Sequence, residues 1–247
     1  MIIPKAEKQK KFRNSFHKFI IAYNNLPMTI EQNLHHITSS IPEHVTLVAV
    51  SKTKPISDIL EAYNAGHRVF GENKIQEMVE KYEQLPEDIQ WHMIGHVQRN
   101  KVKHMAPFVS LIHGVDNFKL LKEINKQAEK HHRTINCLLQ IKIADEDSKF
   151  GMSKQEAQDV LSSEEFSALK NINVIGLMGM ATFTDDDNQL KEEFSYLKSV
   201  FDVLNSERPE IKTLSMGMSG DYKLAIECGS NMVRIGSSIF GARHNSN

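Results

Sequence analysis

The sequence predicts an α/β fold: a single (β/α)8 barrel of the TIM type with an added N-terminal helix. Strand-like apolar runs alternate with helical patterns from residue 45 to residue 240, which is typical of a parallel sheet. The runs are almost continuously apolar, as expected of strands that are buried on both faces. There are eight of them, which favours a closed barrel over a doubly wound sheet with its usual complement of about five or six strands.

The predicted elements follow one another in the order that a barrel requires. Ile30, Leu34 and Ile37 recur at spacings of four and three, which predicts an amphipathic helix over residues 29–40 that ends near Pro42. The predicted strands are Val45–Ser51, Arg68–Gly71, Trp91–Gly95, Ser110–Gly114, Cys137–Ile143, Val174–Met180, Thr213–Met218 and Met232–Ile235. The helical patterns between them are Ile56–Ala65, Ile75–Leu85, Gln98–Met105, Phe118–His131, Lys154–Leu161, Leu190–Leu204 and Tyr222–Cys228.

Composition and charge exclude several classes of protein. The chain of 247 residues is 40% hydrophobic and 25% charged, as expected of a globular protein with one large domain. Its net charge of −1 provides no field that favours nucleic acid or a membrane surface. No apolar run reaches the ~18 residues that a membrane span needs. Cys137 and Cys228 lack CxxC spacing and indicate reduced thiols, so we expect a cytoplasmic protein.

The N-terminal residues differ from the rest of the chain. Residues 1–27 are a basic extension, with six lysine and arginine residues against Glu7 alone, and we expect this extension to be disordered or helical. A transit-type presequence is the alternative, and Met28 is an alternative start because the patterned sequence begins there. The predicted organisation is an extension over residues 1–27, a barrel domain over 28–243 and a tail over 244–247.

Lys52 is the first candidate for chemistry. Val48, Val50 and Lys52 share one face of the first strand, because side chains on a strand alternate with a period of two. If the valines face the barrel lumen, Lys52 does so too, at the carboxyl end where barrel active sites lie. Partial desolvation there lowers the pKa of an ammonium and frees a nucleophilic amine, as Schiff-base formation with an aldehyde requires. The alternative is a strand-end lysine whose ammonium extends into water.

The loops after the last two strands are the second candidate. Ser219 follows the seventh strand, and Gly236 and Ser237 follow the eighth, in segments rich in glycine and hydroxyl residues. Barrels frequently bind phosphate at this place through loop amides and a short helix. Arg234 lies among apolar residues of the eighth strand, so its guanidinium needs a partner. That partner is either an acid in the lumen or a ligand acceptor such as a ring nitrogen.

The remaining patterns favour structural roles, and we expect no metal site. HExxH is absent despite twelve histidines. His92, His96 and His113 can meet near the barrel mouth, but hydrogen-bonded histidines are commoner than a zinc site. The acidic run at residues 185–187 is typical of a solvated loop that starts a helix.

Six motifs occur in the order and spacing of a known family. They are Val48-Ala-Val-Ser-Lys-Thr-Lys-Pro55, Phe70-Gly-Glu-Asn73, Trp91-His-Met-Ile-Gly95 with Gln98-Arg-Asn-Lys101, Lys149-Phe-Gly151, Gly176-Leu-Met178, and Ser215-Met-Gly-Met-Ser219 through Gly241. On these motifs the sequence resembles the pyridoxal phosphate homeostasis family, barrel proteins similar to the N-terminal domain of alanine racemase. The resemblance covers residues 28–243. Six motifs in the same order are not explained by chance.

The resemblance implies a cofactor, pyridoxal 5′-phosphate (PLP), and a set of residues that bind it. Lys52 matches the lysine that holds the cofactor as a Schiff base. Ser219, Gly236 and Ser237 match ligands of the phosphate, and Arg234 matches the partner of the pyridine nitrogen. Three further positions match residues near the cofactor: Asn73, His92 and Met178.

The function implied by the resemblance is that of a PLP carrier or buffer in vitamin B6 and amino-acid homeostasis, without robust turnover. Arginine at the pyridine nitrogen disfavours protonation of the ring, and the sequence ends after the eighth strand, before any second domain that would supply an opposing base. The expected partners are PLP, amino acids and the apo forms of PLP enzymes, with a monomeric chain. The alternatives are an amino-acid racemase or related PLP enzyme that uses Lys52 as one base, and a scaffold with a dispensable pocket.

Overall fold

A closed barrel of eight parallel strands forms the centre of the molecule, with each strand paired to its neighbours in chain order. The computed structural model describes residues 28–144 and 150–242. The strands are β1 (Thr46–Val50), β2 (Val69–Glu72), β3 (Gln90–Met93), β4 (Leu111–Val115), β5 (Ile135–Gln140), β6 (Ile172–Met178), β7 (Thr213–Met218) and β8 (Met232–Ile235). This architecture confirms the predicted (β/α)8 fold.

Helices surround the barrel, and all but the first and the last of them connect consecutive strands. They are α1 (Ile30–Ser40), α2 (Ile56–Asn64), α3 (Ile75–Tyr82), α4 (Val102–Met105), α5 (Phe118–Lys130), α6 (Lys154–Ser162), α7 (Glu164–Ser167), α8 (Asp187–Glu207), α9 (Tyr222–Glu227) and α10 (Ser237–Phe240). The predicted helix over Gln98–Met105 divides into a 3-10 turn, Arg99–Lys101, and α4. Helix α7 was not predicted, because four residues are too few to show a 3.6-residue period. Among the described residues, no helix combines the length and apolar character that crossing a membrane needs.

Apolar side chains pack in two separate layers, one outside the sheet and one in its lumen. Leu47 and Ala49 of β1 belong to the outer layer, between the strands and the helices. Val48 of the same strand belongs to the lumen layer, with Val50 packed against it. Alternation along β1 therefore follows the predicted parity, with Val48 and Val50 directed into the barrel.

Helix α1 packs against α10, the last helix of the barrel. Its N-terminus is closed by a capping box between Thr29 and Gln32, which satisfies two free backbone amides. Farther along, the Asn33 side-chain amide donates a hydrogen bond of 3.0 Å to the Ile239 carbonyl in α10. Helix α1 thereby supports the segment that directly follows β8. The predicted extension over 1–27, the predicted tail over 244–247 and Lys149 lie outside the described residues.

Candidate functional site

A cavity of about 880 Å³ opens at the carboxyl end of the strands. This volume lies within the usual range for small-molecule sites. Six residues predicted from the sequence line the cavity: Lys52, Asn73, Ser219, Arg234, Gly236 and Ser237. The other two, His92 and Met178, are buried deeper in the barrel and are not among the lining residues. Met180, two positions after Met178, lines the cavity instead.

Lys52 lies in the turn that follows β1, at the rim of this cavity. Its side chain is half-buried, and Val50 lines the cavity beside it, as their shared parity requires. The Ser51 amide still pairs with the Gly71 carbonyl of β2 at 3.0 Å. Thr53 then adopts a left-handed conformation with φ of 62°, so the chain leaves the sheet immediately after Lys52.

Lys54, the next lysine along the chain, also lines the cavity, but its ammonium is bound to backbone carbonyls. Its Nζ donates hydrogen bonds to the carbonyls of Phe240 (2.7 Å), Gly241 (3.1 Å) and Ala242 (3.2 Å). These carbonyls lie at the end of α10, where backbone acceptors lack partners within the helix. Lys54 therefore joins the turn after β1 to the segment after β8.

The loops after β7 and β8 contact each other at the cavity wall. The Gly236 amide donates to the Ser219 hydroxyl at 3.2 Å, and Ser237 follows as an exposed residue at the start of α10. A Cβ added to Gly236 would lie 3.1 Å from the Val50 carbonyl oxygen and 3.2 Å from Val50 Cβ. Glycine thus allows the β8 loop to approach β1 closely.

Arg234 is the buried charge at the base of the cavity. Nη1 donates to the Ser215 hydroxyl at 2.7 Å, and Nη2 donates to the Gly179 carbonyl at 3.0 Å. Burial lowers its pKa to about 10, and the carboxylate of Asp221 partly opposes this shift. The guanidinium therefore stays charged at neutral pH. Because it carries five N–H donors and lines the cavity, donors remain for a ligand.

A buried chain of hydrogen bonds continues from Arg234 into the lumen. His113 Nδ1 lies 3.1 Å from the Ser215 hydroxyl, and His113 Nε2 lies 3.1 Å from His92 Nδ1. Since arginine only donates, the Ser215 oxygen accepts from Arg234. A continuous hydrogen-bonded chain therefore connects Arg234, Ser215, His113 and His92.

Both histidines of this chain are neutral. Burial is the main cause that lowers the pKa of His92 to about 3. Burial also holds the pKa of His113 well below its usual value, with the charge of Arg234 contributing. Desolvation disfavours the charged imidazolium and therefore lowers the pKa of both histidines. His96, the third candidate of the sequence, is instead exposed, stacked on Phe150 and paired with Asp116.

The roles of Ser215 and His113 in this chain were not foreseen from the sequence. Ser215 is a polar residue inside the apolar strand Thr213–Met218, and that interruption was the available signal. Pairwise contacts between strands β3, β4 and β7 depend on barrel register, which no local pattern reports. Within residues 28–144 and 150–242, no group of three or more histidine, cysteine or acidic residues is arranged to hold a metal ion.

Known proteins are similar to this sequence over most of its length. The family model described as "Alanine racemase, N-terminal domain" matches residues 28–244. A protein of Vibrio alginolyticus named pyridoxal phosphate homeostasis protein is 42% identical over 231 residues, covering 87% of this chain and 98% of the relative. The chain belongs to the pyridoxal phosphate homeostasis protein family. The relative of the same name from Escherichia coli K12 is 39% identical over 206 residues, covering 82% of this chain and 87% of its own.

Solved structures of similar proteins have the same fold. PipY of Synechococcus elongatus without PLP superposes with a TM-score of 0.82 at 32% identity, covering 86% of this chain and 100% of PipY. The structure of PipY with PLP bound gives a TM-score of 0.79 at 31% identity, with the same coverage. Alanine racemase of Clostridium difficile matches at 0.72 with 15% identity, covering 89% of this chain and 57% of the racemase. That last similarity concerns the fold alone.

The buried histidine pair predicts a loss of stability in mild acid. The unfolded state takes up protons near pH 6.5, whereas folded His92 does so only near pH 3, so the free energy of unfolding falls as pH falls through this window. As the pH falls from about 7.5 to about 5.5, each buried histidine should lower the free energy of unfolding by about 1 kcal/mol. Urea unfolding at the two pH values measures the change.

A double variant, His92→Gln with His113→Gln, should lose most of this pH dependence. The matched control is the exposed pair His35→Gln with His36→Gln, which should retain it. An equal pH dependence in both double variants would contradict the assignment of neutral buried histidines.

Proposed function

We propose that this chain binds pyridoxal 5′-phosphate in the cavity at the carboxyl end of the barrel and holds it as a Schiff base on Lys52. The observation that carries the proposal is the convergence of an amine (Lys52), a guanidinium (Arg234) and loop amides and hydroxyls (Ser219, Gly236, Ser237) in one cavity. An aldehyde, a ring nitrogen and a phosphate are the features by which proteins recognise this cofactor. The names of the relatives and the PLP-bound structure of PipY support the same ligand.

Lys52 supplies the covalent attachment in this proposal. When bound, the cofactor supplies an aldehyde and an electron-withdrawing ring. Lys52 Nζ would supply the primary amine that holds this aldehyde covalently, with water as the other product of the condensation. The half-buried side chain limits the access of water that would reverse this bond.

The other groups orient the cofactor. To bind the phosphate, the Gly236 amide would exchange its Ser219 acceptor for a phosphate oxygen. The Ser219 and Ser237 hydroxyls would donate beside it, as loop groups do at this end of many barrels. Arg234, charged and buried, donates to the ring nitrogen. A cation at that place disfavours protonation of the nitrogen and weakens the ring as an electron acceptor.

These features support a carrier or buffer of PLP in vitamin B6 and amino-acid homeostasis rather than an efficient enzyme. A C=N bond on a lysine amine is reversible by attack of a second amine, so amino acids and apo forms of PLP enzymes are chemically suited as partners. His92 and His113 are neutral but lie below the cavity, and His96 lies outside it. None of the three histidines is therefore favoured as a racemase base within the described chain.

Lys52→Ala should abolish the absorbance of the Lys52-bound cofactor while the circular dichroism spectrum keeps its native form. The reason is that this substitution removes the amine but no packing in the barrel core. Borohydride reduction and peptide mapping of the unmodified protein should recover the adduct on Lys52. Lys101→Ala, outside the cavity, is the matched control and should bind like the unmodified protein. An adduct on Lys54 or Lys101 would refute the assignment.

Gly236→Val should weaken PLP about 10- to 100-fold, because charge-assisted hydrogen bonds to the phosphate contribute about 1.5–3 kcal/mol. The added side chain would crowd Val50 and move the Gly236 amide. Pyridoxal, which lacks the phosphate, is the matched control ligand and should weaken far less. Fluorescence titration measures both dissociation constants, and parallel weakening of the two ligands would argue against a phosphate site at this loop.

Amino acids added to the PLP-loaded protein should shift its absorbance spectrum, with exchange of their Cα protons close to background. Racemisation needs two positioned proton-transfer groups, each of which typically contributes ~10²–10⁴-fold. The measurement is NMR of L-alanine and several other amino acids in heavy water. Exchange at the ~1–10³ s⁻¹ that is typical of enzymes would overturn the carrier role.

A further inference from the structure

Given the proposed function, we infer that Lys81, together with Glu72 and Glu77, positions Lys52 for bond formation with the aldehyde. Lys81 lies on α3, outside the sheet, and its ammonium is directed to the turn after β1. All three ammonium donors are engaged: Glu72 Oε1 and Glu77 Oε1 at 2.7 Å each, and the Ser51 carbonyl at 2.8 Å. Lys81 is 5% exposed and Glu72 is fully buried.

Both neighbours of Lys52 in the chain are bound to this charged cluster. The Ser51 hydroxyl donates to Glu72 Oε1 at 2.6 Å, and the Thr53 amide donates to Glu77 Oε1 at 2.5 Å. Ser51 is therefore held by its hydroxyl and its carbonyl, and Thr53 is held by its amide. The backbone on each side of Lys52 has a fixed location relative to α3.

The conformation of Thr53 explains what the cluster holds in place. Its φ of 62° lies in the left-handed region, which a β-branched residue rarely adopts and which persists only where the surroundings enforce it. Relaxation of Thr53 to an ordinary conformation would turn the chain that follows it. Because Lys54 is held by the segment after β8, the turn would have to adjust on the other side and displace Lys52. The bond from Thr53 to Glu77 opposes that relaxation.

Stability alone is a poor explanation for the cluster. A buried ion pair contributes little to stability compared with apolar residues of the same volume. Burial raises the pKa of Glu72, with Lys81 opposing the shift, and Glu72 Oε2 is buried without a hydrogen-bond partner among the described residues. Such a costly arrangement is better explained by the geometry that it imposes on Ser51, Lys52 and Thr53.

The expected consequence is selective for the covalent step. Displacement of a reacting group by about 1 Å slows its reaction on the order of 10²-fold, and a bond to a displaced amine also forms under strain. Binding through the phosphate and ring does not depend on Lys52 Nζ. Loss of the cluster should therefore weaken PLP, whose aldehyde reacts with Lys52. It should leave pyridoxine 5′-phosphate, which has the same ring and phosphate but an alcohol in place of the aldehyde, nearly unaffected.

The test compares dissociation constants for these two ligands across matched variants. Glu77→Ala removes the acceptor of the Thr53 amide and should weaken PLP about 10-fold or more, with a change of less than about threefold for pyridoxine 5′-phosphate. Glu77→Gln keeps an acceptor oxygen and should restore most of the loss. The double variant Lys81→Met with Glu72→Gln removes both buried charges. It should weaken PLP as Glu77→Ala does, again with little effect on pyridoxine 5′-phosphate.

Arg133→Met is the control for loss of a partly buried cation elsewhere. Arg133 donates to the carbonyls of Ala106 and Val109, away from the cavity, so its removal should leave both dissociation constants unchanged even where it lowers the melting temperature. Borohydride trapping on Lys52 supplies a second measurement, and the trapped fraction should fall only in the cluster variants without a retained acceptor.

Each outcome supports or overturns the inference. Unchanged PLP binding in Glu77→Ala overturns it, and so does parallel weakening of the two ligands, which would indicate general damage. If the double variant does not fold, the comparison of Glu77→Ala with Glu77→Gln decides, because the Glu77 side chain is 22% exposed. Absence of a Lys52 adduct in the unmodified protein overturns the proposed function itself, and this failure is visible before any variant is made.

Discussion

Hydrogen bonding between β1 and β8 joins the two ends of the barrel, and the geometry of the candidate site depends on this pairing. Val48 lies opposite Arg234, and Ala49 lies opposite Ile235. The turn after β1 therefore meets the loop after β8, with Gly236 directly against Val50. In an open sheet these segments would lie at opposite edges, and Lys52 would be far from Arg234. Closure of the barrel therefore brings residues from distant parts of the sequence together in one cavity wall.

The lumen changes character along the barrel axis. Apolar side chains such as Val48, Leu138 and Met232 fill part of it, while Arg234, Ser215, His113 and His92 form a buried polar chain. A single positive charge in such surroundings lowers the proton affinity of nearby groups and is tolerated only with hydrogen-bond acceptors. Ser215 and the Gly179 carbonyl supply those acceptors. The guanidinium of Arg234 is consequently held in one orientation at the floor of the cavity.

Support for the cavity loops comes from outside the sheet as well as from within it. Asn33 of α1 and Lys54 bind the carbonyls of the segment after β8, and Lys81 of α3 binds the turn after β1. Side chains that react with a ligand need this kind of outer contact, because a free loop samples many geometries. The helices of this barrel therefore serve two purposes: they cover the outer apolar face of the strands, and they orient the loops at one end.

The sequence by itself determined the number and order of the strands, the face that Val48, Val50 and Lys52 share on β1, and the family. These features are local, since they arise from side-chain periods of 2 and 3.6 and from motifs contiguous in the chain. Only the tertiary structure decided which side chains touch across strands. The register shift between β7 and β8 near Ser215 and Met218, the burial of His92 below the cavity, and the contact of Lys81 with Ser51 all result from barrel closure and helix packing. Such contacts depend on the relative position of distant segments, which periodicity within one segment does not encode.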